Sequence, residues 1–353
     1  MQAAPPVGMA LIGCGRWGVN HARTAATSGS VHFVGVVDPD QPQRFDAMAR
    51  YGVRGWPTLS DALRDERVEA VVIASPAGTH VSLALEAMRA GRHVLVEKPA
   101  ALSALDASAM SFEARRRGVQ LSAGHTFLYS QPVRNIAAWL REAAPSRPWL
   151  IRSERLGGRR REDCDVLWNL APHDVSILLH LVDEPVVHVA ARGHIFPGGR
   201  HWDLAAVDLT FASGIRGEVY VGWRHAGAKR ALRLLGEQWA LRYRHGRADG
   251  DAVQLTGEAA TAGAEQILHR GCGRSPSGAL RQYAEPLRVQ LEEFVSACRT
   301  GQPTLTGPSH LTAVTRVLHA AHRSASTGGA SVRLDARRAD EQDNDSTTAN
   351  VGA

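Results

Sequence analysis

Lysine is nearly absent from this chain: Lys98 and Lys229 are the only two among 41 lysine and arginine residues. Arginine supplies the surface charge. A retained lysine therefore marks a place where a compact amine, able to lose its proton when desolvated, can do what a guanidinium cannot. Lys98 lies in Glu97-Lys98-Pro99, directly after the apolar run His93-Val94-Leu95-Val96. That is the end of an expected buried strand, the edge at which open α/β sheets carry their ligands. Taken alone, Lys98 is equally well an ordinary strand-end residue, so the surrounding chain has to decide.

Gly13-Cys14-Gly15-Arg16-Trp17-Gly18 follows one expected strand and opens a helix. In this pattern the first glycine permits a tight turn and the second lets a pyrophosphate approach the backbone. The third lets the helix pack on the strand, and the phosphates then rest on amides at a helix N-terminus. Asp38, twenty residues after Gly18, ends the next strand. A carboxylate there accepts from the adenosine ribose hydroxyls and repels a 2′-phosphate, so the pattern implies NAD rather than NADP. Ser75-Pro76-Ala77-Gly78-Thr79-His80 follows the third major strand and is expected to line the cofactor. Thr79 and His80 read equally well as capping and packing residues.

Two more side chains, Asn169 and His173, are spaced four apart, so a helix would put them on one face. A histidine suits proton transfer near neutrality. The plainer reading makes His173 a helix cap after Pro172. Asp174 follows His173, but neighbours on a helix diverge, so it is not expected to face the same way. His319 and His322 are three apart with no further ligand in step, and no metal site is expected. His180 reads as packing or a helix end, and Lys229 as a surface residue in a turn.

These residues need elements to hold them. Strands are expected at Met9–Ile12, Val31–Val37, Ala70–Ala74, Val94–Val96 and Val119–Ser122. Helices are expected at Trp17–Ser28, Arg44–Tyr51, Asp61–Arg64 (capped by Ser60), Val81–Ala90 and Ala104–Arg117. Apolar strands alternating with helices imply a doubly wound parallel sheet covered on both faces. From Gly124 the rhythm changes. A helix at Gln131–Glu142, a strand near Trp149–Glu154 and a helix near Leu167–Leu181 precede five segments of period-two pattern. Those segments, Val186–His194, Leu204–Phe211, Gly217–Trp223, Ala231–Gly236 and Trp239–Arg244, suggest a largely antiparallel sheet with one open face. Helices Pro286–Thr300 and Ser309–Ser324 are assigned to the same half. The expected division is a Rossmann domain over 1–123, an α/β domain over 124–335 and a disordered tail over 336–353.

With 353 residues, 44% hydrophobic and 22% charged, the chain has material for two globular domains. No apolar run reaches the length of a membrane helix. No signal peptide is visible before Gly8, and the four cysteines are scattered without paired spacing, which fits a reducing cytoplasm. Net charge is +6. The arginine clusters at 115–117 and 159–161 lack interleaved aromatics, so nucleic acid is not the expected partner.

The glycine loop, the Ser75–His80 loop and the stretch Ala87–Pro99 ending in Glu-Lys-Pro together resemble the glucose-fructose oxidoreductase/inositol dehydrogenase (Gfo/Idh/MocA) family. Trp168-Asn169-Leu170-Ala171-Pro172-His173-Asp174 resembles the family's second catalytic signature, and the run from Glu285 to Gly301 is also similar, so the likeness spans residues 8–335. It implies an N-terminal Rossmann domain and a C-terminal α/β domain whose open sheet mediates a homodimer or homotetramer. The implied reaction is hydride transfer between nicotinamide and a secondary alcohol carbon of a sugar or cyclitol. Carried over, the hydroxyl-orienting lysine falls on Lys98 and the general base on His173. The resemblance implies cofactor contacts at Gly13, Cys14, Gly15, Arg16, Trp17, Gly18, Asp38, Ser75, Pro76, His80, Glu97 and Lys98. Substrate contacts fall on Phe127, Tyr129, Arg134, Asn169 and His173. This chain departs from the family at Asn169, where an aspartate is usual: asparagine keeps the shape but brings no charge to raise the basicity of His173.

Arg159-Arg160-Arg161 would grip a nucleotide diphosphate, whereas Glu162, Asp163 and Asp165 would suit a cationic amino sugar, and the sequence does not choose. Composition suggests a GC-rich bacterial coding sequence. The expected activity is oxidation of a ring hydroxyl, C3 among the candidates, on a sugar, sugar nucleotide, aminoglycoside or cyclitol in a biosynthetic pathway. The alternative is a catalytically silent NAD-binding regulator of the same fold.

Overall fold

The computed structural model describes residues 5–247, 250–260, 268 and 284–335; the expected tail over 336–353 lies outside them. The helices are α1 (Gly18–Ala26), α2 (Gln41–Tyr51), α3 (Leu59–Leu63), α4 (His80–Arg89), α5 (Ala104–Arg117), α6 (Gln131–Glu142), α7 (Val166–Val182), α8 (Pro286–Thr300) and α9 (Pro308–Ser326). Contacts divide the chain into two compact units, Met1–Thr126 with Glu285–Thr315, and Phe127–Ala284 with Arg316–Ala353.

The first unit is a six-stranded sheet of β1 (Val7–Ile12), β2 (Val31–Val37), β3 (Arg54–Trp56), β4 (Ala70–Ile73), β5 (His93–Val96) and β6 (Leu121–Ala123). All pairs are parallel and the order is β3-β2-β1-β4-β5-β6. The order reverses between β1 and β4, which creates the crevice where such sheets bind ligands. Every residue of β1 and β4 is buried, as strands covered on both faces require. Side-chain caps fix several helix starts: Asp40 accepts from Gln43 N, Thr58 from Asp61 N and Ser103 from Asp106 N. Thr58, not Ser60, caps the third helix, because only a residue with extended backbone ahead of the first turn can reach its free amides.

One expectation about this unit fails. The helix at 286–300, expected in the second half of the chain, instead packs Leu291, Phe294 and Val295 into the same core as Met9, Leu11, Val36 and Leu95. Gln290, fully buried, donates to the carbonyl of Ala123 at 2.7 Å and accepts from Thr126 at 2.8 Å. Amphipathic periodicity shows that a helix has an apolar face but not which sheet that face meets.

The second unit is an eight-stranded sheet of β7 (Leu150–Leu156), β8 (Val186–His194), β9 (Leu204–Phe211), β10 (Arg216–Gly222), β11 (Lys229–Leu235), β12 (Trp239–Arg247), β13 (Gly250–Gly257) and β14 (Val332–Arg333). The order is β13-β12-β11-β7-β10-β9-β8-β14, and only β7 and β10 run parallel. In β7, Ile151, Ser153 and Arg155 are buried while Arg152 is exposed, the alternation of a sheet covered on one face. Helix α7 packs on β7, β9 and β10. Lys229 begins β11 instead of sitting in a turn, and its ammonium pairs with Glu154 at 3.0 Å.

Candidate functional site

The first unit carries the dinucleotide fingerprint with each glycine in a distinct environment. Gly13 has φ +93°, and a Cβ there would lie 2.8 Å from the backbone of Ala74 and Ser75. At Gly18 a Cβ would meet the Gly13 carbonyl oxygen at 2.0 Å. At Gly15 it would meet only the tip of Gln43, at 3.9 Å. The first and third glycines are thus demanded by the fold itself, while the second faces open space where a pyrophosphate can approach.

Asp38 ends β2 buried beside this turn. Its Oδ2 accepts the Cys14 amide at 2.7 Å and its Oδ1 the Asp40 amide at 2.9 Å. Each oxygen keeps a further lone pair for a ribose hydroxyl. Burial, with the Asp38 charge adding to it, pushes the Cys14 thiol up to about 12, so Cys14 serves through its backbone and not as a nucleophile.

Glu97 is the hub between this turn and Lys98. Its Oε1 accepts from the Trp17 indole at 2.5 Å and from His21 Nε2 at 2.8 Å, while Oε2 accepts the Lys98 amide at 3.1 Å. Burial pushes the Glu97 carboxyl up, but His21, Lys98 and Trp17 together hold it below the usual range. It is therefore an anion locked inside the unit, placing Lys98, which is half-buried, at the end of β5. The Lys98–Pro99 peptide is cis.

His80 lies beneath the Ser75 loop and not on its surface. It is 1% exposed, and its ring nitrogens lie 2.8 Å from the carbonyl oxygens of Pro99 and Ser75. It staples the loop after β4 to the turn after β5, so its part in binding is positional. Thr79 makes no cap to α4; its hydroxyl pairs with Ser75 at 2.7 Å and donates to the Pro76 carbonyl at 2.8 Å.

His125 was not singled out by sequence. It is buried just past β6, its ring edge-on to His310 at 5.4 Å, and its Nδ1 has no hydrogen-bond partner. Burial, then the charges of His310 and Lys98, push it well below the usual histidine range. A neutral ring therefore stands in the field of the Lys98 ammonium.

In the second unit Asn169 lies in the first turn of α7 and His173 one turn further on, four residues apart. Asn169 is buried and His173 half-buried. His173 is not a helix cap, since Pro172 and His173 lie within α7 and Asp165 caps it, accepting from Trp168 N at 3.0 Å. Phe127 packs edge-on to His173 at 4.8 Å between ring centres. Asp174 turns away from that face: it accepts Ser153 at 2.6 Å and Arg155 Nε at 2.7 Å. Arg155 in turn lies 4.4 Å over the Phe127 ring. Asp174 thus does not supply the charge missing at Asn169.

Tyr129 is buried at the end of a short 3₁₀ turn, and Arg134 is exposed on α6. Within the 159–165 loop, Arg161 binds Asp163 at 2.5 Å and Arg160 lies 3.4 Å from Asp203. Asp165 is spent on its cap, with His322 at 3.7 Å. Arg16 and Pro76 keep their places in the two loops.

A Rossmann unit with a complete fingerprint, an acidic ribose residue and a lysine set by a buried carboxylate defines a dinucleotide-dependent oxidoreductase. Residues 7–125 match the model described as "Oxidoreductase family, NAD-binding Rossmann fold", and residues 132–242 match the Gfo/Idh/MocA C-terminal domain. The chain belongs to the Gfo/Idh/MocA oxidoreductase family. It is 29% identical over 302 residues to UDP-N-acetylglucosamine 3-dehydrogenase of Acidithiobacillus ferrooxidans, covering 83% of this chain and 89% of that one. Myo-inositol 2-dehydrogenase of Thermotoga maritima is 22% identical over 83% of this chain and 88% of its own. Among solved structures, GenD2 from gentamicin A biosynthesis in complex with NAD superposes with a TM-score of 0.80 at 27% identity, covering 95% and 98% of the two chains. The WlbA dehydrogenase of Bordetella pertussis, in complex with NADH and UDP-GlcNAcA, gives 0.83 at 21%, covering 95% and 99%, a likeness of fold.

Proposed function

We propose that the chain is an NAD-dependent dehydrogenase that oxidises a secondary ring hydroxyl, at C3, of a sugar-like substrate to a ketone. The observation that carries this reading is the Glu97 hub, which joins the fingerprint loop to Lys98 through one buried carboxylate. NAD, when bound, supplies the hydride acceptor. The Lys98 ammonium lowers the pKa of the reacting hydroxyl and stabilises the oxygen as charge develops on it. His173 takes the hydroxyl proton. Asn169, on the same face of α7, hydrogen-bonds a neighbouring hydroxyl and fixes the ring. His125, held neutral, adds no second cation to compete with Lys98. The relatives named above as dehydrogenases of a UDP-sugar and of a cyclitol support this substrate class. The outer face of the second sheet is where we place pairing into a homodimer or homotetramer.

The test is NADH formation across a panel of nucleotide sugars, sugar phosphates, aminoglycosides and inositols. Turnover with one of these is the expected result. Tight NAD binding without turnover on any of them would instead favour a silent NAD-binding regulator, the reading that Asn169 keeps open.

A further inference from the structure

The second unit contains a pocket lined by Phe127, Ser153, Arg155, Asp174, Arg230 and His245, among others. Two cations meet there. Arg230 on β11 is the register partner of Arg155 on β7, and side chains directly opposite one another on paired strands share a face. Like charges in that position are destabilising, so the pair calls for anions.

Of the two carboxylates in the lining among the described residues, Glu154 pairs with Lys229 and Arg233, which leaves Asp174 to answer. Asp174 binds Arg155 through Nε at 2.7 Å and Nη2 at 3.2 Å, and also accepts Ser153. Both of its oxygens are committed to that side. Arg230 has no ion pair or hydrogen bond among the described residues, and its one aromatic contact is Phe127 at 6.0 Å, the outer limit of a cation–π interaction. The near face of that ring is taken by Arg155. Burial and then the Arg155 charge lower the pKa of Arg230, and the charges of Asp174 and Tyr243 oppose this only in part. The rings of His173 and His245 pack against the same Phe127, at 4.8 and 5.6 Å, so the free cation neighbours the histidine assigned as base.

We infer that Arg230 forms an anion subsite that binds a phosphate or carboxylate of the substrate beside the ring whose hydroxyl His173 deprotonates. A planar guanidinium matches such oxyanions with two parallel hydrogen bonds. This deepens the dehydrogenase reading and rests on it: it selects acidic sugars, as sugar phosphates, nucleotide sugars or uronates, over neutral or aminated ones. Two of the three loop carboxylates that would have suited a cationic amino sugar are already engaged, Asp163 by Arg161 and Asp165 by the start of α7.

Two measurements test it on the full chain. The first is calorimetric binding of glucose 1-phosphate, UDP-glucose and methyl glucuronide, each against methyl glucoside, to the NADH complex of the wild type, Arg230→Gln and Arg230→Lys. The subsite predicts that at least one anionic ligand binds the wild type and that Arg230→Gln weakens it by about 10- to 100-fold. Arg230→Lys restores part of the loss, and methyl glucoside is indifferent to both changes. Which anionic ligand responds tells phosphate from carboxylate. Binding of every anion unchanged in Arg230→Gln, or a preference for methyl glucoside, overturns the proposal. The second measurement is turnover of the same ligands, where Arg230→Gln should raise KM with kcat little changed. Anion binding that depends on Arg230 without turnover would leave the subsite standing and sink the dehydrogenase reading. Turnover of a neutral or aminated sugar, unaffected by Arg230→Gln, would do the reverse.

Discussion

The indole of Trp17 and the carboxylate of Glu97, 80 residues apart in sequence, are joined by a 2.5 Å hydrogen bond. One partner belongs to the turn that faces the pyrophosphate, and the other is the residue before Lys98. One carboxylate therefore bonds both the fingerprint turn and the backbone of Lys98.

Trp17→Phe keeps an aromatic ring and removes the donor. A hydrogen bond to a buried charge contributes about 1.5–3 kcal/mol, so NAD affinity should fall by about 10-fold, and kcat at saturating NAD should fall as well. Fluorescence titration and steady-state kinetics check it. A variant that loses thermal stability alone would show that the contact does no more than hold the loop.

Lys98→Arg preserves charge and suits the composition of this chain, yet the broad guanidinium cannot take the place of an amine set by Glu97. We expect kcat to drop by about 100-fold or more with NAD binding within about 3-fold of the wild type. Near-normal turnover in this variant would remove Lys98 from the reaction.

His173→Ala should lower kcat by about 100- to 10,000-fold and spare NAD binding. Asn169→Asp places an anion one helical turn away, which favours the imidazolium. The rising limb of the pH–rate profile should then move to higher pH. A shift to lower pH would contradict the charge argument.

Burial depresses the pKa of His125 in the folded chain relative to its ordinary value of 6.5. The unfolded chain thus binds this proton first as pH falls. The resulting stability is fully present above about 6.5 and is lost progressively below it. His125→Gln should flatten the fall of Tm between about pH 7.5 and about pH 5.5, as scanning calorimetry would reveal. An unchanged slope would assign the acid sensitivity elsewhere.

Much of this was legible because local chemistry decides it. The boundaries at 31–37, 104–117, 131–142, 186–194 and 286–300 follow from apolar period, caps and glycine stops. Non-local pairing was not legible. Arg155 and Arg230 meet only because β11 pairs with β7, a strand order no period encodes. His125 reads as one histidine of sixteen until burial sets it apart. The two-residue β14 and the three-residue β3 carry too few side chains for an alternation to emerge.

The allegiance of α8 has a consequence for biosynthesis. Leu291, Phe294 and Val295 close the core beneath β1, and Gln290 ties off the end of β6. A ribosome that has released the first 126 residues has made every strand of the nucleotide-binding sheet but not the helix that seals it. Until residue 300 emerges, that apolar surface stays uncovered and open to chaperones or to aggregation. The half of the molecule translated first is completed last, and a fragment ending at the domain boundary expected from sequence should be insoluble.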